Sequence, residues 1–219
     1  MELDPNAPPE FGELQFELPI APVSQQASRA AKDALVAHIR SVTAPLKYIF
    51  DSEVQIDIQW FIHERLRWET DTSPDVDNII KPLLDGLCGP DGILVDDCQV
   101  QSIMSSWLNW HSDDQKLNIR IKCYPNHFMM KAGLYFVRFQ NALCYPVPAE
   151  VVEKGGLETW LDVIEKALQT RDELEALTGG CYYPARYVLP FGFIHRSRLS
   201  QFHVQDLAEV RERLSKNGA

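Results

Sequence analysis

Between Glu53 and His63 the chain alternates: Val54, Ile56, Ile58, Trp60 and Ile62 are apolar, and most residues between them are polar. A period of two buries one face, so a strand is expected there. A shorter alternation over Leu14–Leu18 stops at Pro19 and Pro22, as strands do at proline. Between these strands the period changes: Ala31, Leu35, Ile39 and Val42 recur at 4-4-3 spacing. That predicts a helix over Ala27–Val42, capped by Ser24 or Ser28 and stopped by Pro45. Beyond a polar loop, Glu64–Pro74, a short helix is expected from about Asn78 to Asp85, with Pro82 near its first turn and the breakers Gly86, Gly89 and Pro90 after it. Val100–Leu108 and Lys116–Tyr124 read as two further strands joined by a turn at His111–Gln115.

The pattern then weakens and the composition shifts near Tyr124–Pro125, which suggests a tail over 1–12, a domain over 13–124 and a separate region over 125–219. In that last region Leu134–Phe139 reads as a strand. Pro146–Thr178 holds one or two helices ended by Gly179-Gly180, Cys181–Phe193 reads as an extended aromatic stretch, and Val204–Leu214 as a short amphipathic helix.

With 219 residues, 45% hydrophobic and 24% charged, the chain has the balance of a globular protein with its own core. No apolar run approaches the roughly 20 residues of a membrane span, and the acidic, proline-rich start has no basic n-region, so neither membrane nor secretion is expected. Five cysteines, odd in number and without a C-x-x-C pair, predict reduced thiols in the cytoplasm rather than disulfides or structural zinc. The charge is uneven. Residues 1–124 carry 10 Lys+Arg against 20 Asp+Glu, and residues 125–219 carry 11 of each, so the net charge of −10 belongs to the first part. Such a balance disfavours nucleic acid, whose affinity comes mainly from Lys and Arg.

The segment that carries chemistry is Asp75-Val-Asp77-Asn78-Ile-Ile-Lys81-Pro-Leu-Leu-Asp85, followed by Val95-Asp96-Asp97-Cys-Gln99-Val100. In an extended loop Asp75 and Asp77 point the same way, just before a helix start that favours anions. Lys81, one turn on, returns positive charge, and Asp96-Asp97 approaches from the neighbouring element. Clustered carboxylates repel unless a cation neutralises them, and Mg2+ with oxygen ligands does so. The same residues also suit a capped turn, with Lys81 paired to Asp85, so spacing alone leaves both readings open. The six histidines have no metal-ligand spacing. Trp107 and Trp110 are expected in a core or dimer interface rather than on bases.

The pattern D-x-D-N-x-x-K-x-x-x-D, then a turn and D-D-x-Q-V, resembles the RusA family of Holliday-junction resolvases. Phe16-Glu-Leu-Pro19, Pro22 and the helix after them resemble that family's opening, so the resemblance spans about residues 13–124. It implies an α/β (α+β) fold, a mixed sheet flanked by helices, with an additional C-terminal α+β region. It implies a Mg2+-dependent endodeoxyribonuclease (Mn2+ substituting), acting as a homodimer on Holliday junctions or other branched DNA in recombination and repair. By position, Asp75, Asp77 and Asp97 match the family's essential aspartates and Lys81 its catalytic lysine. Asp96 is a further metal-side acid, Asp85 a partner for Lys81, and Asn78 a helix cap. The turn Cys88–Leu94 is a residue longer than in compact members, which leaves the register of Asp96 against Asp97 open. The basic residues offered to DNA are Arg65 and Arg67 near the site and Arg186, Arg196 and Arg198 in the C-terminal region. The competing reading, supported by the acidic charge, is a non-catalytic RusA-like module for dimerisation or protein interaction, with the C-terminal region as its working part.

Overall fold

A computed structural model describes residues 3–71 and 75–217. The chain forms two compact units, one ending at Lys131 and the other beginning at Ala132.

The first unit contains, in order, β1 (Glu13–Leu18), α1 (Arg29–Thr43), β2 (Tyr48–Phe50), β3 (Val54–His63), α2 (Glu64–Trp68), α3 (Ile80–Leu87), β4 (Val100–Trp110), β5 (Lys116–Lys122) and β6 (Phe128–Met130). Its main sheet has the order β1-β5-β3-β4. β5 is antiparallel to both β1 and β3, whereas β4 is parallel to β3. A parallel pair requires a long crossover connection, and here that crossover holds α2, α3 and every residue of the acid–lysine pattern. β2 pairs with β6 in a separate antiparallel ribbon, which places residues 128–130 with the first unit.

The alternation of β3 is realised in full, because Val54, Ile56, Ile58, Trp60 and Ile62 are all buried. Ser28 caps α1, its Oγ accepting the Ala31 N–H at 3.2 Å. α1 buries Leu35, Ile39 and Thr43 and packs along α3. Gly86 does not end α3 but lies inside it. A Cβ at Gly86 would sit 2.6 Å from Ile39 Cδ1, so the missing side chain lets the two helices approach. The stretch read as a polar loop after His63 begins as α2, whose start is capped by His63 Nδ1 accepting from Arg65 N–H at 3.1 Å. Residues 72–74 of that stretch lie outside the described residues.

The second unit comprises β7 (Tyr135–Arg138), β8 (Leu143–Val147), α4 (Ala149–Glu153), α5 (Leu157–Leu177), α6 (Tyr182–Ala185), β9 (Ile194–His195), β10 (Val204–Asp206) and α7 (Leu207–Asn217). Its sheet has the order β10-β7-β8-β9, with β10 parallel to β7. Leu157, Leu161, Ile164 and Leu168 of α5, spaced 4-3-4, close a core with Val137, Phe139, Tyr145, Val147 and Val210. The fold is therefore α+β throughout, a mixed sheet flanked by helices followed by an α+β region. Two local expectations are corrected. Cys181–Phe193 is not extended: Tyr182–Ala185 is helical and Arg186–Val188 is a 3-10 turn. The terminal segment opens as strand β10 before it becomes α7, because its first residues extend the sheet beside β7.

Candidate active site

The chain reaches α3 through a hydrogen-bonded turn. Asn78 N–H donates to the Asp75 carbonyl at 3.1 Å and Ile80 N–H to the Asp77 carbonyl at 3.4 Å. Residues 76–79 are thus turn, not the extended loop expected, so the period-two argument for a common direction of Asp75 and Asp77 does not apply. Both side chains are exposed. Asn78 is not the helix cap either, since Ile79 holds that position without a side-chain bond. Instead Asn78 fastens the segment before α1: its carbonyl accepts from Gln25 N–H at 2.7 Å and its Oδ1 from Gln26 Nε2 at 3.2 Å.

In the first turn of α3, Lys81 Nζ donates to Asp85 Oδ1 at 2.8 Å and to Asp97 Oδ2 at 3.0 Å. Asp85 first, and Asp97 after it, hold the ammonium above its usual range against the desolvation that lowers it. About half of the Lys81 side chain stays exposed, so a ligand from solvent can reach it. Cys88, at the end of α3, is buried, and its thiol is pushed up to about 12 by burial, with Asp97 and Asp96 adding to the rise.

Asp97 comes to this place on a 3-10 turn, Asp97–Gln99, that leads into β4. The Asp96 carboxylate caps that turn by accepting from Cys98 N–H at 3.0 Å. The buried side chain of Gln99 completes the capping box. Its Oε1 accepts from Val95 N–H at 2.7 Å and Asp96 N–H at 3.2 Å, while its Nε2 donates to the carbonyls of Phe50 and Ser52, each at 2.9 Å. Every hydrogen-bonding position of this amide is used, so the acidic turn is bolted to the end of β2. Sequence reading quoted Gln99 without a role. The signal was its D-x-x-Q spacing from Asp96, that of a capping box.

The turn from α3 to Asp96 is equally constrained. Ile93 and Leu94 N–H both donate to the Leu87 carbonyl, at 2.8 and 3.0 Å. At Gly92 a Cβ would lie 2.1 Å from that same oxygen, so only glycine fits.

The structure therefore brings Lys81, Asp85 and Asp97 together, with Asp96 capping the turn that carries Asp97. Asp75 and Asp77 stand on the turn leading into the same helix. Among the described residues, no three His, Cys, Asp or Glu side chains converge as a metal-holding group. Arg65 pairs with Glu69 at 3.4 Å. The Arg67 guanidinium lies 4.5 Å from the Trp68 ring and 6.0 Å from the Trp107 ring, and donates to Asn109 Oδ1 at 3.4 Å. Arg186, Arg196 and Arg198 belong to the second unit. A cavity of about 360 Å³ at the sheet end is lined by Glu53, Val54, Gln55, Gln101, Lys122, Cys123 and Tyr124, none of them from the acid–lysine set.

A family model described as Endodeoxyribonuclease RusA matches residues 21–122. Residues 21–122 match the RusA family. The family is one of Holliday-junction-resolving endodeoxyribonucleases. The RusA match begins after β1 and ends with β5, so it contains the whole crossover and leaves the second unit outside. No curated protein matches the chain.

Proposed function

We propose that the chain is a Mg2+-dependent, structure-specific endonuclease that nicks Holliday junctions or other branched DNA, with its chemistry on the α3 crossover. The observation that carries this reading is the Lys81 ammonium held between Asp85 and Asp97 on the RusA-matched segment. In this reading Asp75, Asp77 and Asp97, with Asp96 beside them, are the groups that would hold the ion. Their donors are oxygen only, which suits hard Mg2+ or Mn2+. Such an ion supplies charge stabilisation at the scissile phosphate and a more acidic water.

The remaining work belongs to the chain. Gln99 fixes the turn that presents Asp97. Asp85 restrains Lys81 so that its ammonium faces incoming phosphate oxygens, where positive charge counts most as negative charge develops in the transition state. Arg65 and Arg67, the latter stiffened by Trp68 and Trp107, contact the arms of the substrate. A four-way junction has two-fold symmetry, so paired nicks suit a C2 homodimer. The five cysteines, odd in number and without a C-x-x-C pair, suit reduced thiols, and on that ground we place the protein in the cytoplasm. No helix among the described residues is long and apolar enough to cross a membrane.

A second reading, a RusA-like module without catalysis whose C-terminal region is the working part, is favoured by the net charge of −10 and by described carboxylates that do not converge three at a time. Wild-type protein with a synthetic four-way junction and Mg2+ separates the two. Paired, symmetric nicks that chelation by EDTA abolishes are expected. An intact junction, together with no heat of Mg2+ binding in calorimetry, selects the non-catalytic reading.

A further inference from the structure

The second unit leaves an aromatic face uncovered. Within Cys181–Phe193 the core takes Ala185, which is fully buried, with Leu189 and Phe193 packed at its margin. The tyrosines are not spent there: Tyr182, Tyr183 and Tyr187 are 49%, 63% and 68% exposed. Their order is set by α6 and the turn after it. Tyr183 and Tyr187, four residues apart, cross at 89° with centroids 5.7 Å apart, and the Tyr187 hydroxyl donates to Tyr183 Oη at 3.2 Å. The Arg186 guanidinium lies over both rings, 4.7 Å from Tyr183 and 5.1 Å from Tyr187. Among the described residues no carboxylate pairs with Arg186, and the stretch from Cys181 to Gln205 contains Arg186, Arg196, Arg198, His195 and His203 but no acid. In a chain of net charge −10, this is a long run kept free of negative charge.

We propose that Tyr183, Arg186 and Tyr187 form a binding face for unpaired nucleic-acid bases, the tyrosine rings stacking on bases and Arg186 meeting the adjoining phosphate. Two features favour this occupant over a protein groove. An exposed ring has a π-face that any base can stack on, which makes such a platform tolerant of sequence. A guanidinium without a carboxylate partner complements phosphate and stays charged at all working pH. The inference deepens the branched-DNA reading and rests on it for its biological substrate, since branch points and displaced strands expose unpaired bases. The face would hold the second unit on single-stranded DNA while the crossover of the first unit handles the junction.

The test uses the full chain and a fluorescein-labelled oligothymidylate followed by anisotropy, with four-way-junction cleavage measured in parallel. Tyr183→Ala with Tyr187→Ala is expected to weaken oligothymidylate binding roughly tenfold or more, from stacking losses of this kind, without changing the salt slope. Tyr183→Phe with Tyr187→Phe keeps the rings and is expected to restore binding. Arg186→Ala is expected to flatten the slope of log affinity against log salt by about 0.7. Because these side chains are exposed, the variants should fold, and the phenylalanine pair and Arg186→Ala report independently of the alanine pair. Wild-type protein that fails to bind oligothymidylate, or an alanine pair that binds it unchanged, overturns the proposal. An alanine pair that alters only self-association in sedimentation overturns it too and makes the face a protein contact. Tyrosine-dependent binding without junction cleavage keeps the face and rejects the nuclease reading; cleavage with tyrosine-independent binding does the reverse.

Discussion

Lys81 is the side chain on which the proposed chemistry turns, because its ammonium is shared by two carboxylates that differ in origin, Asp85 within α3 and Asp97 from the next turn. Half-exposed ion pairs contribute little to stability, about 0–1 kcal/mol. Lys81→Ala is therefore expected to leave the urea midpoint nearly unchanged. Single-turnover cleavage should fall by roughly 100- to 1000-fold, the scale seen when a positioned charge-stabilising group is removed. Junction affinity should change far less, and an equal fall in both would make Lys81 a simple phosphate contact. Lys131 offers a different test. Its Nζ donates to the Thr43 carbonyl at 2.8 Å, and burial lowers its pKa from 10.5 to about 8, with Asp91 opposing. Between those values the unfolded chain holds the proton that the folded chain has released, so this group makes stability rise with pH across that window. The cysteine and tyrosine groups raised by burial act the other way, so the informative quantity is a difference. Wild type minus Lys131→Met in urea-melt stability should increase from about pH 7.5 to about pH 9.5. A difference that stays flat would show the amine to be solvated.

The turn Asp97–Gln99 and the turn from Cys88 to Leu94 position the acids, and each has a weak point of its own. Gln99→Leu leaves two backbone N–H groups and two carbonyls without their partner, at about 1–3 kcal/mol for buried groups so stranded. It should lower both stability and cleavage, although Gln99 touches no substrate. Gly92→Ala forces a Cβ against the Leu87 carbonyl, and should cost more than the usual glycine effect of about 1 kcal/mol, because backbone must move. Both effects are read from urea melts alongside single-turnover assays. These elements also mark where the sequence was legible. β3 and α1 were, since ten and fifteen residues give a period room to repeat. α2 and α6, five and four residues long, repeat nothing and are held by local caps and by packing on neighbours. Gly86 read as a breaker because composition cannot show that Ile39 from α1 needs the space. The acid–lysine pattern was legible as a set of residue types. That Lys81 reaches Asp97, while Asp96 caps the turn, depends on Gln99 finding the carbonyls of Phe50 and Ser52, contacts across 49 and 47 residues.

Across the whole chain, charge and chemistry are unevenly divided. The first unit has the RusA-matched segment and nearly all the excess acid, whereas residues 125–219 are balanced and include the acid-free stretch with exposed tyrosines. In the proposed reading, this acidic domain would bind DNA with the help of divalent ions at its carboxylates and of arginines elsewhere in the chain. The proposed division of labour leaves cleavage to the first unit and single-strand contact to the second. Its central claim is that the crossover between β3 and β4 is a phosphodiester-cleaving site in which Asp97, rather than Asp96, works with Asp75, Asp77 and Lys81. Single-turnover cleavage of a synthetic four-way junction with Mg2+ tests this most directly, comparing wild type with Asp77→Asn, Asp97→Asn and Asp96→Asn. Paired nicks by wild type are predicted, with none by Asp77→Asn or Asp97→Asn despite intact folding, and residual cleavage by Asp96→Asn. Undiminished cleavage by Asp77→Asn and Asp97→Asn would contradict the account.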